Sequence, residues 1–150
     1  MSEHQNKSAT HLWNPLWTIL LSFIFTPVFG GLITGLNWRA LGNQERALVS
    51  FSYFRTTLFI MVAYIFVEPL LRGIPYTQYV LFTLMLTLWL VWTFADGMKQ
   101  LRYVNEQLGD AYVRNLWGKA IMGGVFGWVA YYAVAITVAI GSQLLEGTLF

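Results

Sequence analysis

Cysteine is absent from all 150 residues, which excludes disulfides, thiol redox chemistry, covalent c-type haem and thiolate metal sites. Histidine is nearly absent too. His4 and His11 both lie in the N-terminal tail, so no apolar helix offers an imidazole to haem iron, and the pair alone makes no metal site. There is no HExxH, phosphate-binding loop, glycine-rich dinucleotide turn or GxSxG. Neither catalysis nor a cofactor is expected. Charge is scarce, at 11% of the chain, against roughly a quarter in a soluble domain. The net charge of +2 comes from basic residues scattered over connections, whereas a nucleic-acid footprint needs them clustered on one face.

What fills the sequence is hydrophobic: 57% of residues. A membrane-crossing helix needs about 20 mostly apolar residues, and four stretches qualify: about 16–36, 57–71, 77–95 and 120–145. Barrel strands are about half that length and alternate strictly, so the expected fold is all-α, a polytopic membrane protein built as one domain, a bundle of four transmembrane helices. No small-residue cleavage site follows the first apolar run, which is therefore expected to be retained rather than removed as a signal.

Lysine and arginine give the threading. The connection at about 37–56 carries Arg39, Arg46 and Arg55, and that at about 96–119 carries Lys99, Arg102, Arg114 and Lys119. Against these stand only Lys7 in the tail and Arg72 in the short turn. This asymmetry predicts two cytoplasmic loops and both termini outside. Within the second loop, Leu101, Val104, Leu108 and Tyr112 recur at three- and four-residue spacing, which predicts a short amphipathic helix limited by Gly109.

In the first apolar stretch, Thr18, Ser22, Thr26, Gly30 and Thr34 fall at steps of four, and Gly31 to Gly35 is a GxxxG. Small residues let membrane helices approach closely. The last helix offers a comparable face with Gly123 and Gly127, so the two are expected to pack on each other, within one chain or between copies. Pro27 removes a hydrogen bond and predicts a kink. FTPVFGG around it could instead form a re-entrant hairpin, which would leave the N-terminus inside.

Glu68 is the one carboxylate within an apolar stretch. Such a group is costly in a bilayer and is a functional candidate, with Tyr64 one turn away and Tyr131 as a cross-bundle partner. The competing reading is an interfacial ion pair with Arg72 at i+4. Asp96, beside Gly97 and Lys99, reads as interfacial. Trp13, Trp17, Trp38, Trp92 and Trp117 fall near helix ends and read as headgroup-zone belt residues.

The segment FTPVFGGLITGLNWRALGNQERA, with Asn37, Trp38, Arg39 and Gly42, resembles the N-terminal signature of small bacterial inner-membrane proteins of no assigned activity. YVNEQLGDAYVRNLWGK, with Tyr112, Arg114, Trp117 and Lys119, is similar to a second piece found there before the last helix; Ala120 stands where a proline often follows that lysine. The resemblance implies a bacterial inner membrane and supplies no activity. Two function classes remain. One is a non-catalytic accessory or scaffold subunit, working through its cytoplasmic loops on a protein partner or the lipid bilayer. The other is a small homo-oligomeric transporter or channel using Glu68.

Overall fold

Residues 10–148 are described in the computed structural model; His4 and Lys7 lie outside them. Helix α1 (Pro15–Ala40) starts where the sequence invites it, with Pro15 at its first position and the Asn14 side chain accepting from the Leu16 N–H at 2.9 Å. Both are standard helix-starting devices, since the first turn has N–H groups without helical partners. Pro27 disfavours the helical conformation at the residue before it. Thr26 accordingly leaves the helix, at φ 78° and ψ 161°. Only glycine occupies that region at ease.

The break reverses the chain. Asn37 and Trp13 are 24 residues apart yet share two hydrogen bonds, of 2.9 and 2.8 Å. A straight helix would hold them about 36 Å apart at 1.5 Å per residue. The two limbs, residues 15–25 and 27–40, therefore form a hairpin. They close on each other where Gly30 meets Ser22: a Cβ on Gly30 would come within 2.8 Å of the Ser22 Cβ and 2.6 Å of the Trp92 ring.

A tight turn at Gly42, whose φ of +75° suits glycine, leads into α2 (Gln44–Val67), capped by the Asn43 side chain at the Arg46 N–H. The second limb of α1 lies along α2 because Gly31 has no side chain. A Cβ there would sit 2.9 Å from the Phe54 backbone nitrogen and 3.0 Å from the Ser50 carbonyl. After a 3-10 turn (Glu68–Leu71), α3 (Gln78–Trp92) returns. It runs through a π turn (Thr93–Gly97) into α4 (Met98–Gln107). Gly109 closes α4 with its N–H on the Val104 carbonyl at 2.9 Å. A two-residue strand β2 (Val113–Arg114) then pairs in parallel with β1 (His11–Leu12), and α5 (Gly118–Thr148) completes the chain.

By length and composition alone, four helical segments are long and apolar enough to cross a membrane: Pro15–Ala40, which is folded back at Thr26, Gln44–Leu71, Tyr79–Gln107 and Gly118–Leu145. The all-α, multi-pass reading holds. One boundary changes. Helix α2 begins at Gln44, so residues expected in a cytoplasmic loop up to about 56 are largely helical. The hairpin and the β1–β2 pair also hold the N-terminal segment at the end carrying the α1–α2 turn and the α4–α5 connection. Helix α5 leads away from that end for about 46 Å, at 1.5 Å for each of its 31 residues. The described ends of the chain thus lie at opposite ends of the bundle, the arrangement that goes with the re-entrant alternative for FTPVFGG.

Candidate functional site

The polar side chains of the bundle gather at the end that holds β1 and the α1–α2 turn. Asn37 is 1% exposed. Its Oδ1 accepts from the Trp13 N–H and its Nδ2 donates to the Trp13 carbonyl and, at 3.0 Å, to Gln100 Oε1. Gln100, also 1% exposed, donates to the Thr34 carbonyl at 2.9 Å. Burying amides is costly unless they are bonded, and these two satisfy each other while tying the hairpin to α4. One level deeper, the Trp89 indole N–H donates to Ser22 Oγ at 2.9 Å. Three buried groups near this network have no partner among the described residues: Trp38 Nε1, Trp92 Nε1 and Thr93 Oγ1.

Asp96 lies in the π turn, a helical irregularity that often marks functional positions. It is 3% exposed and accepts from Ser50 Oγ of α2 at 2.5 Å. The Trp38 indole faces the same carboxylate without reaching hydrogen-bond geometry. Beside it a cleft of about 270 Å³ opens between α2 and the α3–α4 rod, lined by Asn43, Glu45, Arg46, Val49, Ala95, Asp96 and Lys99. Arg46 and Lys99 act on Asp96 through space. Yet no two of the cleft's charged side chains approach within ion-pair distance; the ion pairs among the described residues are Glu68–Arg72 and Asp110–Arg114. The Arg46 guanidinium instead lies over the Trp38 ring, 5.0 Å from its centroid, and Arg39 over Phe51 at 4.9 Å.

The residues singled out by sequence divide unevenly. Asn37 and Trp38 belong to this site, but Trp38 and Trp92 are fully buried rather than members of a headgroup belt. Asp96 is buried and bonded rather than merely interfacial. Within the chain the two glycine faces do not meet. Gly35 packs on the Phe51 ring and Gly31 on the α2 backbone, whereas a Cβ added at Gly123 or Gly127 would meet nothing within 4 Å, and it is Gly124 that receives Phe25. Glu68 pairs with Arg72 at 3.7 Å, both partly exposed. Tyr64 donates to the Thr77 carbonyl at 3.3 Å, and Tyr131 stacks edge-on against Tyr132. Arg114 pairs with Asp110 at 3.0 Å, Tyr112 and Trp117 are half-buried, and Lys119 is exposed. Sequence pattern alone does not single out Gln100 and Ser50. Their only signal is a polar residue on the helix face that otherwise carries the core, as with Gln100 one turn before Val104.

No protein-family model, curated protein or solved structure matches this chain.

Proposed function

We propose that the chain is a multi-pass protein of a bacterial inner membrane and a non-catalytic accessory subunit, engaging a protein partner through the end where β1, the α1–α2 turn and the α4–α5 connection gather. The observation that carries this is the placement of the polar framework. Asn37, Gln100, Ser50 and Asp96 brace that one end, and beside it the α4–α5 connection presents Leu116 at 89% exposure. Glu68, on which transport would depend, lies in a partly exposed pair with Arg72, which favours the accessory reading.

The threading follows from the hairpin. Each limb of α1 rises about 16–21 Å, short of a hydrocarbon core of roughly 30 Å, so α1 enters and leaves on one side while α2, the α3–α4 rod and α5 cross. The braced end carries Arg39, Arg46, Lys99, Arg102, Arg114 and Lys119, six of the nine Lys and Arg residues, and an excess of these marks the cytoplasmic side. The N-terminal segment is then cytoplasmic and the end of α5 outside.

The test is the composition of the complex extracted from native membranes in mild detergent. A stoichiometric foreign partner, lost on Leu116→Asp and kept on Glu68→Gln, is the expected result. A homo-oligomer with nothing else bound, or a partner indifferent to Leu116, would overturn the reading.

A further inference from the structure

The cleft beside Asp96 has an unusual inventory: two cations, two carboxylates, and no ion pair among them. A buried carboxylate is ordinarily satisfied by several donors or a paired charge. Asp96 has a single well-formed donor among the described residues, the Ser50 hydroxyl, and it lines the cleft. Arg46 and Lys99, on the two walls, bring positive charge to the same space. Such a cavity suits a molecule bearing both signs close together, with a donor-rich cation for Asp96 and an anion for Arg46 and Lys99.

Depth narrows the choice. From Gln78, where α3 begins, to Asp96 is about 27 Å at 1.5 Å per residue. A hydrocarbon core of about 30 Å therefore puts the cleft at the headgroup level of the leaflet on the braced side. The cleft is also open sideways. Val49 on one wall is 47% exposed and Val91, one turn below Ala95, is 51% exposed, so acyl chains can lie against apolar surface directly beneath the charged groups. A volume of about 270 Å³ admits a phosphate with a two-carbon amine.

We propose that this cleft is a binding site for a phosphate–primary-ammonium zwitterion, the phosphoethanolamine group. The ammonium donates to Asp96, and the phosphate sits between Arg46 and Lys99. The headgroup of an ethanolamine phospholipid and a free phosphoethanolamine share this chemistry, and the depth and side opening favour the lipid. The recognition is selective by construction. A primary ammonium has three N–H donors, whereas a choline headgroup has the same charge and no donor for Asp96, and a phosphatidylglycerol headgroup has no cation at all.

The experiment uses the full chain, purified in mild detergent, with bound lipid read by native mass spectrometry. Phosphatidylethanolamine, its mono- and dimethyl derivatives, phosphatidylcholine and phosphatidylglycerol are compared at matched acyl chains. We expect retention to fall with each methyl added, by about tenfold across the series, as a charged hydrogen bond is lost. We expect Asp96→Asn to abolish that gradient, and Arg46→Gln with Lys99→Gln to weaken all the phospholipids together. The methylation series needs no variant, so it decides the matter even if Asp96→Asn fails to fold. Equal retention across the series, or preference for phosphatidylglycerol, would overturn the proposal. Soluble glycerophosphoethanolamine supplies the last arm. If it displaces the lipid at comparable concentration, the zwitterion site stands with a free ligand as its source; if it does not, the lipid is the ligand.

Discussion

Asn37 holds both backbone groups of Trp13 with one side-chain amide, across 24 residues of sequence. An amide has one carbonyl and one NH₂, and here the carbonyl takes the Trp13 N–H while the NH₂ serves Trp13 and Gln100. The clasp closes the hairpin at its open end, opposite Thr26, and joins it to α4. Removing it strands buried partners on two elements at once.

Asn37→Ala should therefore destabilise the protein by about 2–4 kcal/mol, the cost of leaving buried amide groups unpaired at more than one site. Thermal unfolding in detergent measures this. Asn37→Asp keeps the acceptor for the Trp13 N–H but turns carboxylate oxygen toward the Trp13 carbonyl and Gln100 Oε1, and should be no milder. A melting temperature unchanged in Asn37→Ala would sink the clasp.

The hairpin makes a topological prediction that is easy to read because the chain has no cysteine. Single cysteines at His11, Gln44 and Gly147 should divide two against one. A membrane-impermeant thiol reagent applied to intact cells should label Gly147→Cys and miss the other two until the membrane is opened. Labelling of His11→Cys from outside would restore a straight first span and defeat the hairpin threading.

How much of this was legible in the sequence depends on what each residue type can signal. Four apolar runs were plain because length and hydropathy act over about 20 residues and tolerate local exceptions. The hairpin was legible only as the alternative to a kink, because a proline in an apolar helix looks the same whether it bends the axis or reverses it. What decides is the distant partner of Asn37, and pairing over 24 residues leaves no periodic trace. Trp38 and Trp92 were misplaced for a similar reason. A tryptophan near a helix end suits the headgroup zone, and only the packing of Gly30 against Trp92 and of Arg46 over Trp38 puts these two inside. Asp96 had the composition of an interfacial residue; its burial depends on Ser50, which arrives from another helix.

Helix packing by glycine differs between α1 and the Gly127 face of α5 in a way that substitution can test. At Gly31 a Cβ would press on the Phe54 backbone at 2.9 Å, and backbone cannot swing aside as a flexible side chain does. Gly31→Ala should cost about 1–3 kcal/mol, the usual range for overpacking. Gly127→Ala, with nothing within 4 Å of the added carbon, should change stability by no more than about 0.5 kcal/mol or raise it slightly, since alanine is the better helix former. Equal losses at the two positions would mean that the face of α5 is covered by another molecule.

Glu68→Gln removes an ion pair at 3.7 Å whose two side chains are 45% and 30% exposed. Solvent screens such a pair, and exposed pairs contribute about 0–1 kcal/mol, so a shift within about 0.5 kcal/mol is expected and the oligomeric state should not change. A large loss of stability, or of any ion flux reconstituted in vesicles, would return Glu68 to the centre of the functional argument.

Thr26 supplies the last test, because strain and hairpin meet there. Its φ of 78° with ψ of 161° is tolerated by glycine and costs other residues about 1–3 kcal/mol. Replacing it with glycine removes the Cβ clash, but also enlarges the freedom lost on folding by up to about 1 kcal/mol. The balance favours stabilisation, by up to about 3 kcal/mol on those figures. Thr26→Ala keeps the Cβ and the strain, and should gain nothing. If both substitutions lower the melting temperature alike, the threonine hydroxyl rather than the backbone angle matters at the tip. If the glycine variant alone is stabilised, the reversal before Pro27 is the conformation that the folded protein holds.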